Sequence, residues 1–272
     1  MVLFPNCKIN IGLNILAKRS DGYHDLQTIF YPAAVKDAVE IIASDDSSTE
    51  IIFTGSGIPI HGTQENNLCV KAYRLLKKDY PHLPAVKMHL HKTIPMGAGL
   101  GGGSADAAFT LQLLNTKFSL GLSPQQLLPY ALQLGSDCPF FIINKPCYAS
   151  GRGEILEPLQ LDLSAYALLI VNPGIHISTS LAFSNITIAA NKKDLRQLIA
   201  KPIQEWKDTI INDFEKPVFE AWPQIAAIKT ALYTSGAIYA GMSGSGSSVF
   251  GIFKKEDIPA INFPEHYFCR WL

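Results

Sequence analysis

The sequence predicts an α+β fold, with sheet and helix packed as layers rather than wound alternately. Three observations point there. Period-2 strand patterns occur beside 3.6-period helices, the two do not alternate in regular βαβ order, and the chain closes on two strands joined by a glycine segment. The 272 residues, 47% of them hydrophobic, suffice for one large or two modest cores.

Ser44 to Ser48 reads as a polar turn, and Ile58 to Thr63 as a loop with a proline among apolar residues. Val86, Met88 and Leu90 then alternate with Lys87, His89 and His91, the pattern of a strand with one buried face. Behind it comes Pro95-Met96-Gly97-Ala98-Gly99-Leu100-Gly101-Gly102-Gly103-Ser104-Ala105, with five glycines in seven positions. Glycine takes positive φ and lets the backbone approach a ligand, so consecutive N–H groups can converge on one anion. A helix follows, in which Ser104 reads as the N-cap, Asp106 as a first-turn acid, and Ala107, Leu111 and Leu114 as one apolar face. Its unpaired first-turn donors and positive dipole end point to the same spot, a site built for phosphate.

Ser123-Pro124-Gln125-Gln126 starts a second helix with an N-cap, a proline at the first position and a capping-box glutamine; Gly135 ends it. Asp137 is placed on a loop entering a strand over Phe140 to Ile143. Beyond Leu156 the patterns predict a strand at Ala167 to Val171 and helices around Asp194 to Leu198 and Pro217 to Leu232. The closing strands are Ala237 to Tyr239 and Val249 to Phe253.

Spacing separates the phosphate-loop mechanisms. A P-loop requires G-x-x-x-x-G-K-[ST], but here Gly102 is followed by Gly103 and Ser104, with no lysine. Gly97, Gly99 and Gly102 spell G-x-G-x-x-G, yet no acid lies about 20 residues on to hold a ribose. The lysine, H-R-D and D-F-G signatures of protein kinases do not occur. Lys plus Arg and Asp plus Glu are both 23, so no global field favours a nucleic-acid backbone or an anionic membrane; a small-molecule ligand fits better. No apolar run approaches the ~18 residues of a membrane span, and Lys8 and Asn10 interrupt any signal-peptide core, which points to the cytoplasm. Cys7, Cys69, Cys138, Cys147 and Cys269 are odd in number and scattered, and read as buried or partly buried free thiols.

Pro95-x-Gly97-x-Gly99-Leu100-Gly101-Gly102-Gly103-Ser104 resembles the ATP-binding motif of the GHMP superfamily of small-molecule kinases. Pro5-Asn6-Cys7-Lys8-Ile9-Asn10-Ile11-Gly12-Leu13 resembles its first motif, and Gly241-Met242-Ser243-Gly244-Ser245-Gly246-Ser247-Ser248-Val249-Phe250 its third. Asp21-Gly22-Tyr23-His24 with Gln27-Thr28, Leu134 to Pro139 and Gly151-Arg152-Gly153-Glu154 are similar to the branch whose acceptor is cytidine diphosphate methylerythritol. The resemblance runs from about Pro5 to Phe250, most weakly over Ile186 to Lys207. It implies two domains, residues 1–155 carrying the phosphate loop and residues 156–272 completing the substrate site, with the active site in the inter-domain cleft.

The resemblance also assigns roles. Asp137 is implied as the general base for the acceptor 2-hydroxyl, and Lys8 as the group that orients it and steadies developing negative charge. Asn10, two residues along a strand from Lys8, shares its face and would contact the same acceptor. Read alone, Asp137 is a turn or cap aspartate and Lys8 a solvated strand lysine. Tyr23, His24 and Phe183 are implied for the cytidine, two rings stacking cytosine and His24 bonding its edge; Phe183 reads equally as a core aromatic. Asn67, Lys92 and Met96 match positions bordering ATP, and Gly97, Ala98, Gly99, Leu100, Gly101, Gly102, Gly103 and Ser104 cradle its phosphates. Mg²⁺ would accompany ATP, but no acidic residue declares itself a ligand. Cys7 and Cys138 would border the site, where they could be reactive. Arg152 stands where the motif can carry an apolar residue; it adds a cation near the diphosphate or points to solvent. The rivals are another kinase of the superfamily, with no need for Tyr23, His24 and Phe183, and a catalytically silent nucleotide binder, against which Lys8 and Asp137 speak.

Overall fold

The computed structural model of this chain describes residues 1–45, 48–178, 182–183, 186, 188 and 192–272. Its strands are β1 (Val2–Leu3), β2 (Asn6–Lys18), β3 (His24–Lys36), β4 (Ala38–Ala43), β5 (Ile51–Gly57), β6 (Val86–Lys92), β7 (Cys147–Ser150), β8 (Ile155–Pro158), β9 (Tyr166–Asn172), β10 (Tyr239–Met242), β11 (Val249–Lys254) and β12 (Phe268–Trp271). The α-helices described in full are α1 (Leu68–Asp79), α2 (Gly102–Lys117), α3 (Pro124–Leu134), α4 (Cys138–Ile143), α5 (Leu195–Ile199), α6 (Glu215–Ala221) and α7 (Pro223–Thr234). The chain divides into two compact units, residues 1–7, 34–94 and 101–144, and residues 8–33, 95–100 and 145–272.

In the first unit the strand order is β1-β4-β6-β5, antiparallel except for the parallel pair β5 and β6. The alternation of β6 holds: Val86, Met88 and Leu90 are buried, and Lys87 and His91 are exposed. Those three side chains, with Val39 and Ile41, share a core with Val70, Tyr73 and Leu76 of α1, Leu111 and Leu114 of α2, and Leu127 of α3. The helices therefore lie on the apolar face of the sheet. The capping box of α3 forms as expected, with Ser123 N donating to Gln126 Oε1 at 2.9 Å and Gln126 N donating to Ser123 Oγ at 3.3 Å.

Two sequence expectations fail here. Phe140 to Ile143 is helix α4, not a strand. A short apolar run carries no period that tells a buried strand from a buried helix turn, and Pro139 fits the first turn, where its missing N–H costs nothing. Ser104 is not the N-cap of α2: Gly101 is, in a left-handed conformation (φ +70°), and the first helical bond runs from Ala105 N to Gly101 O at 2.9 Å. Asp106 accordingly lies beyond the first turn.

The second unit holds two further four-stranded sheets, β2-β3-β7-β8 and β10-β11-β9-β12. β2 is buried without interruption from Asn6 to Ile15, so both its faces are covered. Leu13, Ile15 and Leu26 share a core with Leu169 and Val171 of β9, Ile225, Ile228 and Leu232 of α7, and Met242, Val249 and Phe253. The helix expected over Pro217 to Leu232 is two, α6 and α7, broken at Trp222 because Pro223 can only begin a new helix. Ala237 and Ile238 precede β10, which begins at Tyr239. The turn expected at Ser44 to Ser48 lies partly outside the described residues. Among the described residues no helix is long and apolar enough to cross a membrane, and all five cysteines are free thiols.

Candidate active site

The second unit brings together Lys8 to Leu13 of the first motif, Pro95 to Leu100 of the glycine segment and the whole of the third motif. Lys8, read alone as a solvated lysine, is 3% exposed. On β2 its side chain falls on the same face as that of Asn10, and its Nζ donates to Asn10 Oδ1 at 2.5 Å and to the Gly99 carbonyl at 3.3 Å. Asn10 Nδ2 donates to Thr28 Oγ1 at 2.9 Å, which fixes the carboxamide with its oxygen toward the lysine. From the loop after β10, Ser243 Oγ donates to the same Gly99 carbonyl at 2.8 Å and accepts from Asn10 N at 3.1 Å. A Cβ on Gly99 (φ +76°) would lie 2.0 Å from the Ser243 carbonyl, so only glycine allows the loop to sit there. Main-chain bonds from Lys8 N to Leu100 O (2.9 Å) and Ser248 N to Ala98 O (3.2 Å) complete the junction.

The first unit supplies the helical half of the glycine segment. With Gly101 as cap, the N–H groups of Gly102, Gly103 and Ser104 have no intrahelical acceptor and carry the positive end of α2. Beneath them lies a buried ionic triad: Lys92 Nζ bonds Asp37 Oδ2 and, at 2.7 Å, Asp106 Oδ2, and all three side chains are at most 3% exposed. The ammonium would be 3.3 Å from a Cβ on Gly102. Asp37 Oδ1 accepts from the main-chain N–H groups of Thr93 and Ile94 at 2.6 and 2.9 Å. Asp106 Oδ1 is buried without a hydrogen-bond partner. Burial, with the Asp37 charge adding to it against the pull of Lys92, raises the Asp106 carboxyl to about pKa 7. Burial opposes the charge on Lys92, but the two carboxylates outweigh it and raise its pKa.

Asp137 takes the N-cap position of α4, half-buried, yet its carboxylate makes no capping hydrogen bond. Cys138 beside it is a poor nucleophile, since burial pushes the thiol up to about 12. Asn67 caps α1, accepting from Cys69 N at 2.9 Å. It also borders a cavity of about 340 Å³ whose walls include Phe53, Gly57, Ile58, Pro59 and Ile60, within the size range of small-ligand pockets. Met96 is 38% exposed.

Tyr23 follows the turn at Asp21-Gly22 (Gly22 φ +84°) and is 55% exposed. Its N–H donates to Asp21 Oδ1 at 3.1 Å, and Arg19 holds the Asp21 and Asp25 carboxylates. The Arg19 bond keeps the Asp21 carboxyl below its usual range. His24 stacks on Phe183, ring centroids 4.6 Å apart and 16° from parallel, and Phe183 meets Phe214 edge-on at 4.8 Å. Phe183 is thus both near the expected aromatic element and part of the core. Thr179, Ser180 and Leu181 before it lie outside the described residues.

Sequence reasoning missed Asp37 and the cavity beside Asn67, and it named Asp106 and Ser243 without the contacts that they make here. Asp37 and Lys92 are 55 positions apart, and Ser243 and Gly99 are 144 apart; no local pattern links such pairs.

Residues 67–145 match the family model described as GHMP kinases N terminal domain, and residues 189–261 the one described as GHMP kinases C terminal. A protein named 4-diphosphocytidyl-2-C-methyl-D-erythritol kinase from Azobacteroides pseudotrichonymphae is 52% identical over 271 residues, covering 98% of this chain and 100% of that protein. One of the same name from Bacteroides fragilis is 52% identical over 270 residues, 99% of this chain and 98% of the relative. A crystal structure of 4-(cytidine 5'-diphospho)-2C-methyl-D-erythritol kinase superposes with a TM-score of 0.79 at 28% identity, over 93% of this chain and 90% of that one. Identity at that level over nearly the whole of both chains places this protein in the GHMP kinase family, among the 4-diphosphocytidyl-2-C-methyl-D-erythritol kinases.

Proposed function

We propose that this protein transfers the γ-phosphate of ATP to the 2-hydroxyl of 4-diphosphocytidyl-2-C-methyl-D-erythritol, a step in non-mevalonate isoprenoid precursor synthesis. The observation that carries this reading is the Lys8 ammonium seated on the Gly99 carbonyl of the phosphate loop, between Asn10 and Ser243. A buried lysine held at a glycine loop places a full positive charge beside the site where phosphate charge gathers, at low local dielectric.

Phosphoryl transfer needs an in-line hydroxyl, donors for the charge spread over the transferred group, and a proton acceptor. Asp137, at the start of α4 and half-buried, takes the hydroxyl proton. Lys8 stabilises the charge that develops, and Asn10 holds Lys8 and meets the acceptor. The N–H groups of Gly97 to Ser104 cradle the ATP phosphates, with Lys92 supporting the loop from beneath. Adenosine occupies the cavity beside Asn67. Mg²⁺ would enter with ATP and offset the charge of its phosphates. Among the described residues no three His, Cys, Asp or Glu side chains gather as a metal site. Free thiols at all five cysteines fit a reducing, cytoplasmic setting.

Cytosine stacks on the open face of Tyr23, His24 bonds its edge, and Phe183 joins the stack by releasing His24. Stacking contributes ~1–3 kcal/mol per base, so Tyr23→Ala should raise the acceptor KM by roughly 5-fold or more and leave the ATP KM within about twofold. An unchanged acceptor KM would remove cytosine stacking at Tyr23 from the reading.

A further inference from the structure

Tyr23 is not a loose surface aromatic. The guanidinium carbon of Arg152 lies 4.8 Å from the centroid of its ring, covering one face, while the residue stays 55% exposed. Arg152 is itself held: its main-chain N–H donates to Glu154 Oε2 at 2.5 Å, and its Nε approaches Glu154 Oε1 at 3.5 Å. The turn that carries it, with Gly151 at φ +66° and Gly153 at φ +106°, doubles back so that both contacts reach one carboxylate. The main chain of Tyr23 is held as well, its N–H donating to Asp21 Oδ1 at 3.1 Å, and Asp21 is in turn bound by Arg19. The backbone of Tyr23 is thus fixed by Asp21 with Arg19, and its ring by Arg152 with Glu154.

We infer that Arg152 is a positioning residue for acceptor recognition: it immobilises the Tyr23 ring before the acceptor arrives and leaves one face open as the platform for a pyrimidine base. The inference rests on the cytidine reading above. An unpinned tyrosine side chain loses two torsions when a base stacks on it, and pre-ordering the ring removes that cost from binding. A guanidinium over a ring suits this task better than an ammonium, being planar and weakly hydrated. Arg152 therefore acts on acceptor binding and not on phosphoryl transfer.

The test is steady-state kinetics of the full chain with the cytidine diphosphate acceptor varied at saturating ATP, paired with titration calorimetry using cytidine 5'-diphosphate as probe. Arg152→Met should raise the acceptor KM and the probe Kd together by roughly 3- to 10-fold, with kcat, ATP KM and Tm close to the parent's. Arg152→Lys should fall between parent and Arg152→Met. In a Tyr23→Ala background Arg152→Met should add almost nothing, since the arginine works through the ring. Unchanged KM and Kd in Arg152→Met, an Arg152→Lys as impaired as Arg152→Met, or a full additional loss in the Tyr23→Ala background would each overturn the inference; the last would mean direct contact with the diphosphate. A parent enzyme indifferent to cytidine would instead overturn the substrate reading and the inference with it.

Discussion

At Asp106 a carboxyl group sits in the first unit's core with one oxygen on Lys92 and the other without a partner. Its folded-state pKa is raised to about 7 by burial, so between the ordinary aspartate value of 3.8 and about 7 the native protein holds a proton that the unfolded chain has released. The native state binds more protons across that window, so the stability this group contributes is fully present below about pH 4 and is lost as pH rises through about 7. Asp106→Asn cannot ionise. Urea melts should show the variant's stability relative to the parent increasing from pH 5 to pH 7.5; a constant difference would mean that Asp106 titrates normally. Asp137→Asn is a different case. Removing a positioned base costs ~10²–10⁴ in rate, whereas an aspartate serving only as a turn or cap residue would mainly cost stability, on the order of 1 kcal/mol. Measured kcat should fall by at least ~10² with Tm and ATP affinity near the parent's, and near-parental kcat would take Asp137 out of the mechanism. The sequence displayed both aspartates equally, but the pairing that buries Asp106 spans separated segments and could not be read from either.

Among the elements, those whose signals are local were legible: the alternating strand β6, the capping box of α3, and the proline and glycine punctuation around them. α4 was not, because four apolar residues fit either structure and the packing of Cys138 and its neighbours decided the matter. The start of α2 was misread for a related reason. Ser104 is the better capping side chain, but Gly101 alone can take the left-handed turn that leads from the loop into the helix. The shift places Gly102, Gly103 and Ser104 in the first turn and makes Gly103 the informative position. It is exposed, and a Cβ there would meet only Leu68 Cδ1, at 3.9 Å. Gly103→Asp leaves the fold room and puts a negative charge at a helix N-terminus, where it favours the helix. Tm should hold or rise slightly while the ATP KM increases roughly tenfold or more through repulsion of phosphate. An unchanged ATP KM would show that the N-terminus of α2 does not face the nucleotide phosphates. Gly102 serves less well, since a Cβ there would press on buried Ile94 at 2.9 Å and disturb the core.

For the molecule as a whole, the three glycine and lysine motifs and the Tyr23-His24 element were enough to indicate the family. How the motifs cooperate was not visible, because the glycine segment is divided between the two units after Leu100 and its first half is anchored by Ser243 from near the other end of the chain. A balanced charge of 23 against 23 leaves recognition to these local groups. The most direct measurement is the ³¹P NMR spectrum of the purified protein with Mg·ATP and 4-diphosphocytidyl-2-C-methyl-D-erythritol, run beside 2-C-methylerythritol 4-phosphate and mevalonate. The cytidine acceptor should give one new phosphomonoester resonance in step with ADP, with its diphosphate resonances retained, and the other two should give little. Faster ATP consumption with either acceptor that lacks the base, or none with any of the three, would contradict the assignment.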